Sequence, residues 1–235
     1  MTLSNSPLIL FDLDDLTGTR INGSMAVDGK SGRITGTGTF NPSFGLGTYD
    51  IHVCADFSGA EIRDTGVWMN NRAGNNPKSV RVTPNGNTPI IPAGAWTQFH
   101  ASPNDQLLVR VGVSFISAAQ ACGNAEKEVP DFDFDKLHTA AQDVWREKLS
   151  VIKIDATGVS DDLQTVFWSG LYRAMFSPQD YTGENPLWKS NEPYYDSYYC
   201  IWDSFRSIHP LLTLVDPHSQ TLMVRSLIDT YRHEG

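Results

Sequence analysis

The segment "CIWDSFR" places Asp203 and Arg206 three residues apart, so on a helix they would share one face, with Trp202 beside them. Four tyrosines, Tyr194, Tyr195, Tyr198 and Tyr199, stand just upstream. Aromatic rings beside a carboxylate and a guanidinium suit a sugar. The rings stack on the apolar face of a pyranose, and the charged groups hold its hydroxyls by strong hydrogen bonds. The same residues fit a second reading, an Asp203–Arg206 salt bridge inside an aromatic core, and composition alone leaves both open.

Other spacings lead away from chemistry. In "PLILFDLDDLTGT", Asp12 and Asp14 follow an apolar run, as in the nucleophile and acid/base pair of haloacid dehalogenase-type phosphatases. That motif wants Thr or Val where Leu16 stands, followed by an α/β sheet, whereas the next hundred residues read as β. The expectation is a strand over 8–13 with its aspartates at a turn. Asp131, Asp133 and Asp135 alternate like a calcium loop, but Lys136 replaces its glycine and Gln142 its bidentate glutamate. These carboxylates belong instead at the start of a helix, where the dipole favours them. The glycines of "GTGTF" and "GLGTYD" lack the third glycine and following helix of a nucleotide loop. No H-E-x-x-H or G-x-S-x-G is present.

The elements that position these residues change character along the chain. Up to about Pro130, short β-branched or aromatic runs are separated by Gly, Asn and Pro turns, which predicts a β-sandwich over 1–130. Alternation is clear in Tyr49, Ile51, Val53 and Ala55 against Asp50, His52 and Cys54, and in Val109, Val111 and Val113 against Leu108, Arg110 and Gly112. Each strand should bury one face and leave the other mixed. From 131 to 155 the period becomes 3.6 through Phe134, Leu137, Ala141, Val144, Trp145 and Leu149, a linker helix followed by a short strand-like "SVIKIDATG". Asp161 and Asp162 open a further helix, and Asp216 with Pro217 supplies an N-cap and first-turn proline for another. Between them lies a 23-residue Pro- and aromatic-rich loop, long enough to suggest a function. These helices have broad apolar faces that cannot close a domain by themselves, so a longer parent chain is expected.

Composition excludes several classes. A 235-residue chain with 40% hydrophobic and 11% aromatic residues can fill one large core or two smaller ones. A net charge of −9 with no Lys/Arg run argues against nucleic acid as a partner. No apolar run of 18 residues and no charged-then-apolar leader is found, so neither a membrane span nor an export signal is expected in these residues. Cys54, Cys122 and Cys200 are odd in number and far apart, which predicts isolated buried thiols.

Four segments together resemble glycoside hydrolase family 92, the calcium-dependent exo-acting α-mannosidases. They are "GRITGTGTFNPSFGLGTYDIHVCADFSG"; "VRVGVSFISAAQA" with "FDFDKLHTAAQDVWREKLSVI"; "VFWSGLYRAMFSP"; and "YYCIWDSFRSIHPLLTLVDP". They occur in the family's order and spread over most of the chain.

The resemblance implies a multidomain β + α protein. An N-terminal β-sandwich of supersandwich type, similar to galactose mutarotase and carbohydrate-binding domains, is joined through the linker helix to an (α/α)6 barrel beginning over 156–235. It implies inverting removal of terminal α-linked mannose, α-1,2 foremost, from N-glycan or mannan chains, with calcium as cofactor and secretion as the location. Carried over to this sequence, Asp203 and Arg206 contact the sugar and Trp202 walls the subsite. The family's catalytic acid, its base and most calcium ligands lie beyond the segment matching Gly235. No catalytic residue or metal ligand is therefore assigned, and these residues by themselves are expected to be inactive. The competing expectation is a non-catalytic carbohydrate-binding module, which needs no later carboxylate pair.

Overall fold

The computed structural model describes residues 6–13, 19–43, 45–83, 91–101, 106–198 and 200–235. Asp14, Leu16 and Tyr199 lie outside them. The chain divides into two compact units, Met1–Asp133 and Phe134–Gly235.

Among the described residues the first unit has nine strands: β1 (Leu8–Asp12), β2 (Arg20–Val27), β3 (Ile34–Phe40), β4 (Tyr49–Ser58), β5 (Ile62–Met69), β6 (Arg72–Gly74), β7 (Ser79–Val82), β8 (Ala93–Phe99) and β9 (Leu108–Ser114). They form a four-stranded sheet, β1-β8-β5-β6, and a five-stranded sheet, β7-β2-β3-β4-β9. Every pairing is antiparallel. Sequence alternation explains the sandwich. In β3 the threonines Thr35, Thr37 and Thr39 point outward while Ile34, Gly36, Gly38 and Phe40 are buried. Gly38 makes room for its neighbour, because a Cβ there would lie 2.5 Å from the Phe40 ring. Met25, Val27, Ile34, Ala55, Val67, Ala93 and Ala95 fill the space between the sheets. Phe57 sits edge-on to Phe99 at 5.2 Å and to Phe11 at 6.4 Å. Full burial of a side chain such as Ile34 contributes roughly 1.5–3 kcal/mol.

Two expectations fail in this unit. The segment after β9 is a helix, α1 (Ala118–Glu128), where only strands were expected. Ser117 caps it by accepting from the Gln120 amide at 3.1 Å. Cys54 and Cys122 are not isolated thiols but a disulfide, with Cα atoms 5.0 Å apart. Both corrections have one cause: α1 packs on the outer face of β4 and β9. A Cβ at Gly112 would lie 2.0 Å from the Ala121 carbonyl oxygen, so the helix can approach this closely only over glycine.

The cover also changes which faces are buried. In β4, Cys54, Ala55 and Asp56 are all buried, because the sandwich covers one face and α1 the other. In β9, Gly112 and Ser114 are buried and Arg110 nearly so, while Val109, Val111 and Val113 stay exposed. These valines continue the inward face of β4, pairing with Phe57, Ala55 and Val53, at the edge of the sheet. Under α1, Asp56 takes Arg33 at 2.6 Å and Arg110 at 2.7 Å, and Arg33 also reaches Glu126 at 2.6 Å. Burial pushes the Asp56 carboxyl upward, but hydrogen bonds from Arg33 and Arg110 outweigh it and hold it below the usual carboxylate range. The same bonds from Asp56 and Glu126 raise the Arg33 guanidinium.

The second unit contains α2 (Phe134–Leu149), α3 (Asp161–Ala174), the two-residue strands β10 (Gln179–Asp180) and β11 (Tyr195–Asp196), α4 (Ile201–Ser204), α5 (Ile208–Val215) and α6 (Pro217–Glu234). Ser160 caps α3, and Asp216 caps α6 by accepting from the Ser219 amide at 3.2 Å with Pro217 in the first turn. The stretch "SVIKIDATG" forms no strand. Leu171, Met175, Tyr195, Leu212 and Met223 make the core, with Trp145, Leu149 and Trp168 packed against it. Much of the expected apolar face of α2 is uncovered: Phe134 is 67% and Val144 63% exposed.

Candidate functional site

The 23-residue loop is mostly fixed along one face of α6. Met223, Ser226 and Asp229 recur every three residues and are buried on that face. Contacts from Trp188, Glu192, Tyr195 and Tyr198 bind the loop to it. The Trp188 indole Nε1 donates to Asp229 Oδ2 at 2.8 Å, and Glu192 pairs with Arg225 at 2.7 Å. The Tyr195 amide donates to Ser226 Oγ at 2.8 Å, and the Tyr198 hydroxyl to the Met223 carbonyl at 2.9 Å. The loop thus runs antiparallel to the helix and delivers the chain to Cys200.

There α4 begins as a single turn. The Cys200 carbonyl accepts from the amides of Asp203 and Ser204 at 3.1 and 3.0 Å, and the Asp203 carbonyl from that of Arg206 at 3.3 Å. Trp202, Asp203 and Arg206 are all exposed, Trp202 to 74%. The Arg206 guanidinium lies 5.4 Å from the Phe205 ring centre. Among the described residues no ion pair joins Asp203 to Arg206 or either of them to another group. The buried Asp–Arg bridge weighed from the sequence has no counterpart here. The cysteine preceding the turn, Cys200, is a free thiol.

The tyrosines expected around this turn serve a different purpose. Tyr195 is buried in the helical core, and burial, helped by the Asp180 charge, pushes its hydroxyl up to about 12. Tyr198 is half-buried against α6, and Tyr194 packs edge-on to Trp188 at 6.0 Å. The aromatic residues of this loop serve its docking on α6, together with Trp188 and Asp229, which no motif in the sequence singles out.

A cleft of about 530 Å³ opens beside this core, lined by Trp145, Phe176, Tyr181, Tyr195 and Asp216 among others. Its polar groups are engaged within the protein. Asp216 pairs with Lys148 at 2.8 Å, Asp180 accepts from Thr182, and the Tyr181 hydroxyl donates to Gln179. None of Trp202, Asp203 and Arg206 lines it. Among the described residues no group of three or more His, Cys, Asp or Glu side chains could hold a metal ion.

A β-sandwich followed in sequence by α-helices is the multidomain β + α class expected from the sequence. The N-terminal domain model of glycosyl hydrolase family 92 matches residues 2–114, and the catalytic domain model of the same family matches residues 120–235. The chain belongs to glycosyl hydrolase family 92. A protein of the fungus Arthroderma benhamiae, described as an uncharacterized secreted glycosidase, is 52% identical over 204 residues, which are 85% of this chain and 26% of that protein. The chain therefore spans about a quarter of that relative's length. Among solved structures, an inverting mannosidase of the family from Bacteroides thetaiotaomicron matches with a TM-score of 0.76 at 22% identity, over 91% of this chain and 29% of the other. A family α-mannosidase from the same bacterium matches with a TM-score of 0.74 at 16% identity, over 98% and 31%. At such identities these structures bear on the fold alone, and the fold is the expected multidomain β + α arrangement.

Proposed function

We propose that this chain is part of a glycosidase that removes terminal α-linked mannose, α-1,2 foremost, from N-glycan or mannan chains. In this reading Asp203 and Arg206 hold sugar hydroxyls and Trp202 forms a wall beside them. The observation that carries it is the exposed α4 turn, where a carboxylate, a guanidinium and an indole face solvent without ion pairs among the described residues. A structural Asp–Arg pair would have been spent internally. Membership of the family supports a glycosidase, and the description of fold neighbours as mannosidases supports mannose as the sugar in this reading.

Inversion needs a general acid at the leaving oxygen and a general base that activates water, their carboxyls about 6.5–9.5 Å apart. We assign neither to residues of this chain and propose that it catalyses nothing by itself. Calcium, when bound, would favour a distorted sugar ring through vicinal hydroxyls. Its ligands are proposed to belong to other parts of the family's catalytic domain. Action outside the cell fits the description of the fungal relative and the Cys54–Cys122 disulfide, which belongs in an oxidising compartment. No described helix is long and apolar enough to cross a membrane.

The test is mannose release from α-1,2-, α-1,3- and α-1,6-linked mannobiosides, with and without calcium, by a polypeptide spanning the whole family domain and by this chain. The longer polypeptide should release mannose in a calcium-dependent way, and this chain should release none. Asp203→Ala in the longer polypeptide should cut activity at least a hundredfold with a melting temperature near the parent's. Saccharide binding without hydrolysis by the longer polypeptide would overturn the enzyme and leave a binding module.

A further inference from the structure

The loop's contacts on α6 are unequal in kind. Tyr195 and Tyr198 are fastened through a backbone amide and to a backbone carbonyl, and the Glu192–Arg225 pair is partly exposed, where an ion pair contributes little. Trp188 and Asp229 differ. Asp229 is a buried carboxylate, and its oxygen takes the indole N–H at 2.8 Å. The indole lies nearly parallel to the His233 ring, with centres 5.1 Å apart and planes at 11°. His233 also approaches Asp229 at 3.6 Å. A hydrogen bond to a charged acceptor is worth more than a neutral one, and removing one partner leaves the other desolvated. The contact stands at the end of the seam farthest from Cys200, where the loop would otherwise begin to peel from the helix.

We propose that Trp188 and Asp229 are positioning residues: their clasp closes the loop onto α6 and thereby fixes the α4 turn that carries Trp202, Asp203 and Arg206. The fastening itself stands on the geometry, while its consequence for a sugar rests on the reading of Asp203 and Arg206 given above. Nearer Cys200 the chain is also held by Tyr195, Tyr198, the β10–β11 pairing and the Ser177 hydroxyl on the Ser197 carbonyl, so an open clasp loosens that hold by fraying from the Trp188 end.

Cys200 supplies the measurement, because the other two cysteines are joined and one free thiol remains. The rate at which an aromatic disulfide reagent labels Cys200 in the native chain is compared among variants, with far-UV circular dichroism confirming that each is folded. Trp188→Phe keeps a ring against Tyr194 and His233 but removes the N–H, and labelling should accelerate about tenfold. Asp229→Ala should accelerate it at least as much, whereas Asp229→Asn retains an acceptor oxygen but loses its charge and should fall between the parent and Asp229→Ala. Because Asp229 also takes a hydrogen bond from Ser190, adding Trp188→Phe to Asp229→Ala should add nothing beyond Asp229→Ala alone. Parental labelling in Trp188→Phe, or acceleration in Asp229→Asn equal to that in Asp229→Ala, would overturn the clasp.

A parallel series in millimolar mannose separates the two claims. Mannose that slows labelling of the parent but not of Asp203→Ala supports both. If Trp188→Phe accelerates labelling and mannose changes nothing, the clasp holds and the sugar-contact reading fails in this chain.

Discussion

Strand β4 is covered twice: Val53 and Ala55 lie toward the second sheet, and Cys54 and Asp56 lie under α1. Helix α2, twice as long in residues as most of these strands, buries none of its side chains, and α3 buries only Leu171. Charge follows the same division. Asp56 binds two guanidiniums in the β unit, whereas Asp203 and Arg206 in the helical unit have no ion-pair partner among the described residues. A scaffold spends its polar groups on itself. The α4 turn instead leaves its charged groups in solvent, and this contrast separates it from the β unit.

The sharpest way to break the contrast is to open the β unit's second cover. Replacing Cys54 and Cys122 together by Ala removes a crosslink between positions 68 residues apart, and chain entropy alone then costs about 4 kcal/mol. Thermal denaturation should show the β unit melting well below its parental temperature. The helical unit's transition should not move. A joint shift of both would mean that the two units unfold as one.

A smaller effect comes from the charge network beneath the same helix. Asp56→Asn leaves Arg33 and Arg110 without their shared carboxylate and should destabilise the β unit by about 2 kcal/mol at neutral pH. The native carboxyl has a depressed pKa, so its contribution is complete above the ordinary carboxylate range and disappears as pH falls through the native value. The stability difference between parent and Asp56→Asn should therefore shrink below about pH 4. Chemical denaturation at pH 7 and at pH 3 reads this directly. An unchanged difference at the two values would show that the network contributes through packing and not through charge.

These features also mark how far the sequence could be read. Strands with strict alternation and helices with side-chain caps were legible, because a period of two and an Asp-Pro start are local signals. Helix α1 was not. Its sequence, "AAQACGNAEKE", has no apolar stripe beyond Ala121 and Ala125, and it is held by close approach over Gly112 rather than by large side chains. The disulfide was hidden for the same reason, since its pairing exists only once α1 lies on β4. "SVIKIDATG" has β-branched residues but finds no partner strand, and propensity without pairing makes no sheet. At the site, the i, i+3 placement of Asp203 and Arg206 was readable, while the use of Tyr195 and Tyr198 in the core depended on where α6 would run. The clasp partners lie 41 residues apart, beyond any local pattern.

The smallest expected effect sharpens the contrast most. Leu214 is 80% and Val166 67% exposed, whereas Ile34 is fully buried. A lysine at either exposed position keeps its ammonium in water and breaks no packing, so Leu214→Lys and Val166→Lys should each change stability by less than about 0.5 kcal/mol. Ile34→Lys would bury an unpaired cation between the sheets and should prevent the β unit from folding. Apolar surface left in water also promotes association. The two exposed substitutions should therefore lower self-association in sedimentation velocity even though the melting temperature stays put. If Leu214→Lys instead destabilises the chain by more than about 1 kcal/mol, the leucine is covered in solution and the α5 face is already in use.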